Sequence, residues 1–326
     1  MTASDVNAPI LVSTGRSEAS DWQKVIEGTW HGRPSIYDAE GVHVGYENVA
    51  RASEFKDGVT HYWMNTVFDG GGALRRRLEL GGMFSFGVID SDDNRIYLGP
   101  DFYGAGQPYG TFVDSNYYSV GWQADLVTWN YVIPGTDLQV YSSVCYDGWT
   151  PAVVFNGIYL RTFDHDTNPE TQARIDAFKA EEERLGSMVF VTPTKQRGAW
   201  TGSLEVFTAD QKPAGTIDLR IEHEPLDLIR SRQTVTWAGA LERSYTFERV
   251  RQEHKTLFHG PDLFGNQFAY GRCAFTAQHF NQEAVKIKGR EFMLDAENRL
   301  CLNWQVFDGN ALTHVITGVA DWSPAD

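Results

Sequence analysis

Two stretches of this chain repeat each other in register, one hundred and sixty-one positions apart. Gly99-Pro100-Asp101-Phe102-Tyr103-Gly104 followed by Tyr109-Gly110 returns as Gly260-Pro261-Asp262-Leu263-Phe264-Gly265 followed by Tyr270-Gly271. The same offset carries Tyr146-Asp147-Gly148 onto Phe307-Asp308-Gly309, and Val154 and Gly157 onto Val315 and Gly318. Register held over so many Gly and Asp positions means a tandem duplication. A period this long marks two similar domains, because solenoid repeats are several-fold shorter.

Both copies are written as strands. In Val59–Phe68, His61, Trp63, Asn65 and Val67 alternate with Tyr62, Met64, Thr66 and Phe68. Comparable runs are expected at Met83–Asp90, Arg95–Leu98, Thr111–Ser119, Gln123–Ile133, Gln139–Tyr146 and Val153–Thr162. In the second copy they fall at Ser203–Phe207, Thr216–His223, Arg232–Trp237, Ser244–Gln252, Cys273–Phe280, Ala284–Ile287, Glu291–Leu294, Leu300–Phe307 and His314–Val319. Turn clusters such as Asp69-Gly-Gly-Gly72 and Pro134-Gly-Thr-Asp137 separate them, the signature of an antiparallel sandwich or barrel. Between the copies lies one convincing helix: Asn168 caps it, Pro169 opens it, and Gly186 follows Glu170–Leu185. The expected division is therefore 21–163, a helical connector over 164–196, and 197–324.

Each copy opens with Gly-x-Trp: Gly28-Thr29-Trp30 and Gly198-Ala199-Trp200. The glycine permits close backbone approach, and the indole suits the narrowing base of a barrel. In position and pattern this resembles the lipocalin signature, and the chain resembles lipocalin-like (calycin) proteins in their two-barrel form. That form occurs in carotenoid hydratase-like and Diels–Alderase-like proteins. The resemblance implies an all-β fold, a tandem duplication of two antiparallel lipocalin-like barrels joined by one helix. It also implies an Arg from the last strand stacked on the Trp. Arg161 fits that role in the first copy, whereas the equivalent position of the second holds Trp322.

Composition narrows the function. A formal charge of −15 argues against nucleic acid, whose phosphates need a basic surface, and against anionic membranes. Three cysteines, Cys145, Cys273 and Cys301, sit in apolar runs and read as buried thiols. Met1–Ser20 has only Ile10-Leu11-Val12 as an apolar patch, so a cytoplasmic location is the expectation. No nucleotide fingerprint and no histidine spacing suited to a metal appears, so neither cofactor nor metal is expected. Oligomeric state is not legible.

The asymmetry between the copies points to a site. Of 14 tyrosines, 12 precede position 160, although a common scaffold asks the same of both copies. Phenols offer stacking surface and a hydrogen-bond handle to an aromatic or isoprenoid ligand, or they merely fill barrel rims. Grouping by strand face selects His61, Asp125, Tyr117 and Tyr103 for proton transfer. Trp63, Trp122, Trp129, Tyr109 and Asp101 are selected as ligand walls, and Arg77 as an anion clamp. Each also has a plainer reading, as outward, rim or turn residues, because parity alone does not say which face is inside. The leading expectation is a cofactor-independent lyase, isomerase, hydratase or cyclase acting on a hydrophobic small molecule. A non-catalytic carrier and a glycan-binding sandwich are the competing classes.

Overall fold

The computed structural model describes residues 11–72, 82–162, 168–185, 196–295 and 298–325, and the chain is all-β. It divides into two compact units, residues 1–180 and 181–326.

The first unit begins with a short helix, α1 (Asp21–Ile26). Its strands are β1 (Gly28–Gly32), β2 (Ser35–Asp38), β3 (His43–Lys56), β4 (Val59–Gly70), β5 (Gly82–Asp90) and β6 (Arg95–Leu98). They continue with β7 (Phe102–Tyr109), β8 (Phe112–Ser119), β9 (Ala124–Val132), β10 (Leu138–Asp147) and β11 (Thr150–Thr162). Each strand from β3 onward pairs antiparallel with the next, and the sheet closes because β1 and β2 each pair with both β3 and β11. The two short strands occupy one strand position in series, interrupted at Arg33-Pro34, so the barrel is ten strands around.

Helix α2 (Pro169–Leu185) follows, with Asn168 Oδ1 accepting from Thr171 N at 2.8 Å as its cap. The second unit has strands β12 (Gly198–Thr208), β13 (Pro213–Pro225), β14 (Arg230–Gly239), β15 (Arg243–Gln252) and β16 (Lys255–His259). The remainder are β17 (Leu263–Tyr270), β18 (Cys273–Phe280), β19 (Val285–Asp295), β20 (Arg299–Asp308) and β21 (Ala311–Pro324), closing a ten-strand barrel through β12 and β21. Here β12 is continuous where the first barrel has β1 and β2.

The duplication is visible strand by strand. From β7 to β11 each strand begins one hundred and sixty-one positions before its counterpart. The offset is one hundred and seventy for β1–β3, because the link from β4 to β5 is longer than that from β14 to β15. Repeated glycines mark shared constraints. Gly110 and Gly271 turn at φ 59° and 58°, and Gly148 and Gly309 at 62° and 59°, in the left-handed region only glycine enters freely. Gly157 and Gly318 serve close approach instead: a Cβ there would strike Pro34 and Leu204, equivalent positions on the closing strand.

Two sequence expectations are corrected. The helix between the copies is not the only one: α1 escaped because six residues are too few to show helical periodicity. The stretches Ala284–Ile287 and Glu291–Leu294 belong to one strand, β19, whose basic outer residues interrupt the apolar pattern.

Candidate functional site

The base of the first barrel is plugged by its own N-terminal segment. Ser20 caps α1, and its hydroxyl meets the Asp90 carboxylate at 2.5 Å. Gln23 accepts from Ser53 at 2.8 Å and from Arg95 at 3.2 Å. Trp22, Ile26 and Trp30 pack with Val49, Val113, Val132 and Tyr159. The Trp30 indole donates to Ile26 O at 2.9 Å, and the Arg161 guanidinium lies 5.0 Å from the Trp30 ring while donating to Val25 O at 2.9 Å. The arginine-on-tryptophan stack expected from the resemblance is therefore present. In the second barrel Trp322 does the same job, 5.2 Å from Trp200.

Above this plug the first barrel is hollow, enclosing a cavity of about 740 Å³. That is within the range of pockets for drug-sized molecules. The second barrel holds only about 30 Å³. Side chains at equivalent inward positions explain the difference. Thr66 and Ser119 border the cavity where the second barrel has Trp237 and Phe280, and Ser143 stands where it has Trp304. The three large rings take up most of the second interior, beside a buried polar group of Arg249, Gln267 and Glu291.

The cavity wall is polar on one side. Strand β3 turns Glu47, Arg51 and Ser53 inward, with Asn130 from β9 and Gln139 from β10 beside them. Arg51 is buried; it donates to Asn130 Oδ1 at 3.3 Å and to Gln139 Oε1, and its guanidinium lies 4.1 Å from the Tyr159 ring. Burial pushes the Glu47 carboxyl up to about 7, with Arg51 pulling the other way. The second barrel replaces Glu47 and Arg51 with Ile217 and Ile221 of its core. Much of the remaining lining is apolar and aromatic, including Met64 and Phe68 beside Arg51 and Glu47 on the neighbouring strand, with Phe86, Phe102 and Leu126.

Five of the twelve early tyrosines, Tyr62, Tyr97, Tyr117, Tyr141 and Tyr159, line this space. Among the residues selected from sequence, Tyr117, Asp101 and Trp122 line it as well. Tyr117 is packed 5.0 Å from Tyr97, and burial raises its phenol well above the ordinary range, so it stays protonated. Asp101 accepts from Ser119 at 3.1 Å, and Trp122 stacks on Phe155 at 6.2 Å.

The others are not cavity-lining. His61 and Trp63 share the β4 face opposite to Tyr62 and Met64; Asp125 is exposed on β9, and Tyr103 is exposed on β7. Trp129 and Tyr109 are buried on the outer face against Phe112 at 5.4 and 6.2 Å. There the Tyr109 hydroxyl meets Gln107 at 3.2 Å, and burial pushes its phenol up to about 12. The parity of β4 and β9 is thus opposite to the one the aromatic grouping favoured: β4 carries aromatics on both faces, and the β9 aromatics Trp129 and Tyr131 are buried on the outer face. Arg77 lies outside the described residues.

No protein-family model matches this chain, and no curated protein matches it. Among solved structures it is similar to a protein of unknown function of the DUF3598 family from Nostoc punctiforme PCC 73102. The identity is 11% and the TM-score 0.56, over 94% of this chain and 100% of that one. This likeness shows the fold alone. A putative outer membrane protein from Bacteroides fragilis NCTC 9343 aligns over 94% of this chain and 100% of its own, at 8% identity and a TM-score of 0.23, which carries no argument. The architecture is a two-barrel, lipocalin-like one. Among the described residues no helix is long and apolar enough to cross a membrane.

Proposed function

We propose that the first barrel is a cofactor-independent enzyme pocket for a hydrophobic small molecule, working by proton transfer from or to Glu47. One observation carries this reading: the hollow barrel has a carboxyl and a guanidinium facing open space from one strand, at positions where its filled twin has isoleucines. A carboxyl whose proton leaves near pH 7 is matched to general acid–base work at neutral pH. The guanidinium of Arg51, backed by Asn130 and Gln139, suits an oxygen that gains negative charge in the transition state. Such a pair serves a lyase, isomerase, hydratase or cyclase step in which a proton moves beside an oxygen-bearing carbon. Aromatic walls around it favour an aromatic or isoprenoid skeleton.

The test is incubation of the protein with small-molecule extracts, followed by mass spectrometry of what is bound and what is formed. A product that appears with the wild-type protein and falls by about a hundredfold or more with Glu47→Gln supports the reading, that being the lower range for a general acid–base group. Undiminished turnover by Glu47→Gln sinks it. A ligand captured and returned unchanged makes the protein a carrier.

A further inference from the structure

Resting on the cavity reading above, we propose that the ligand is an amphipathic monocarboxylic acid whose carboxylate seats on Arg51. Among the described residues, the two fully buried arginines sit against carboxylates. Arg95 is fully buried and lies 3.3 Å from the Asp90 carboxylate. Arg272, also fully buried, meets Glu181 at 2.5 Å and has Glu182 at 3.9 Å. Each carries its own counter-ion, and the inward Arg249 of the second barrel, bonded to Gln267, has the Glu291 carboxylate on the same amide.

Arg51 has none. Its hydrogen-bond partners are neutral: the amide oxygens of Asn130 and Gln139 and the hydroxyl of Tyr62. Among the described residues no carboxylate comes within 4.0 Å of it. Glu47 stands two inward positions along the same strand, with Val49 between. A buried cation without an ion partner is costly once water is displaced from around it. A neutral ligand filling the cavity would strip that water and leave the guanidinium with amides alone. A carboxylate supplies the missing charge and fits the planar fork of donors. The cost that penalises a neutral ligand is therefore the device that selects an acid.

Position fixes the orientation. Arg51 lies well below the mouth, one inward step from Ser53 at the plugged base, while Phe68, Trp122 and Leu126 line the wall nearer the mouth. The acid enters head first, and its apolar body extends back along these side chains. The second barrel has Ile221 in place of Arg51; its own inward Arg249 is bonded to Gln267, which in turn bonds Glu291, and its filled interior leaves no room for a ligand.

The probes are dansyl-undecanoic acid and its methyl ester, titrated by dansyl fluorescence at pH 7.5 against the full chain and its Arg51→Gln variant. The wild-type protein is expected to bind the acid at least about tenfold more tightly than the ester, the range of a hydrogen bond to a charged group. Arg51→Gln is expected to erase that ratio while keeping the ester's affinity within about twofold. Equal binding of acid and ester by the wild-type protein overturns the carboxylate seat and leaves the hydrophobic pocket standing. Binding of neither probe overturns both. A ratio that survives in Arg51→Gln also overturns the proposal. Should that variant fail to fold, Arg51→Lys takes its place, expected to keep part of the preference, and the wild-type ratio remains decisive alone.

Discussion

Glu47 gives the hollow barrel a pH dependence that its filled twin lacks at the equivalent site. Burial raises its carboxyl from the ordinary 4.5 to about 7, so the folded barrel prefers the protonated form. The stability this group allows is complete below pH 4.5 and is lost as pH rises through about 7. A rise of that size corresponds to about 3 kcal/mol at most, since each tenfold change in proton affinity is about 1.4 kcal/mol. Glu47→Gln keeps the shape and removes the ionisation. The variant should come within about 1 kcal/mol of the wild-type protein at pH 5 and exceed it by up to about 3 kcal/mol at pH 9. Hydrogen–deuterium exchange of the β3, β4 and β10 amides reads the opening free energy of this barrel without requiring the whole chain to unfold in one step. Comparing the two proteins at each pH cancels the intrinsic exchange rate. Equal protection at pH 9, or the same gain at pH 5 as at pH 9, would refute the reasoning.

Two further outcomes follow from the contrast between the barrels. Thr66→Trp copies Trp237 into the hollow interior and should weaken dansyl-acid binding about tenfold or more without lowering the melting temperature; undiminished affinity would show that the probe sits elsewhere. In the second barrel, burial lowers His223 from 6.5 to about 4, with Arg249 adding to the effect. Its contribution is intact above pH 6.5 and lost as pH falls through about 4, by up to about 3 kcal/mol. His223→Gln should flatten that acid loss in the exchange of β13 and β14 amides, and an unchanged slope from pH 7 to 4 would count against it.

Much of the fold is legible in the chain because scaffold residues are shared by the two copies. Gly157 and Gly318 mark the place where the wall meets its closing strand, and Gly28-Thr29-Trp30 with Arg161 marks the plugged end. The site is less legible for a physical reason. A hollow barrel that receives a polar group puts charge inside, so β3 inverts the usual pattern: Glu47 and Arg51 face in, while Tyr46 and Ala50 face out. Such a run does not resemble a strand with an apolar inner face. On β4 both faces carry aromatics, and alternation cannot choose between His61 with Trp63 and Tyr62 with Met64; on β9 the aromatic face, Trp129 with Tyr131, is the outer one. The signal that exposes Glu47 and Arg51 is the second offset. Shifted by one hundred and seventy, they fall on Ile217 and Ile221, a change from charged to apolar that the main offset hides.

The split closing strand has a mechanical consequence. The second barrel is sealed by the eleven residues of β12, whereas the first is sealed by five and four residues separated at Pro34. Proline donates no hydrogen bond, so the seam has no amide to offer there. A hoop made with such a joint yields at the joint. The two short strands, five and four residues against eleven, form the shortest runs of ladder in the first barrel's closure. The twin spans the equivalent point with one strand, whose ladder to β13 runs on from Gly198 to Val206 although its ladder to β21 lapses between Thr201 and Glu205.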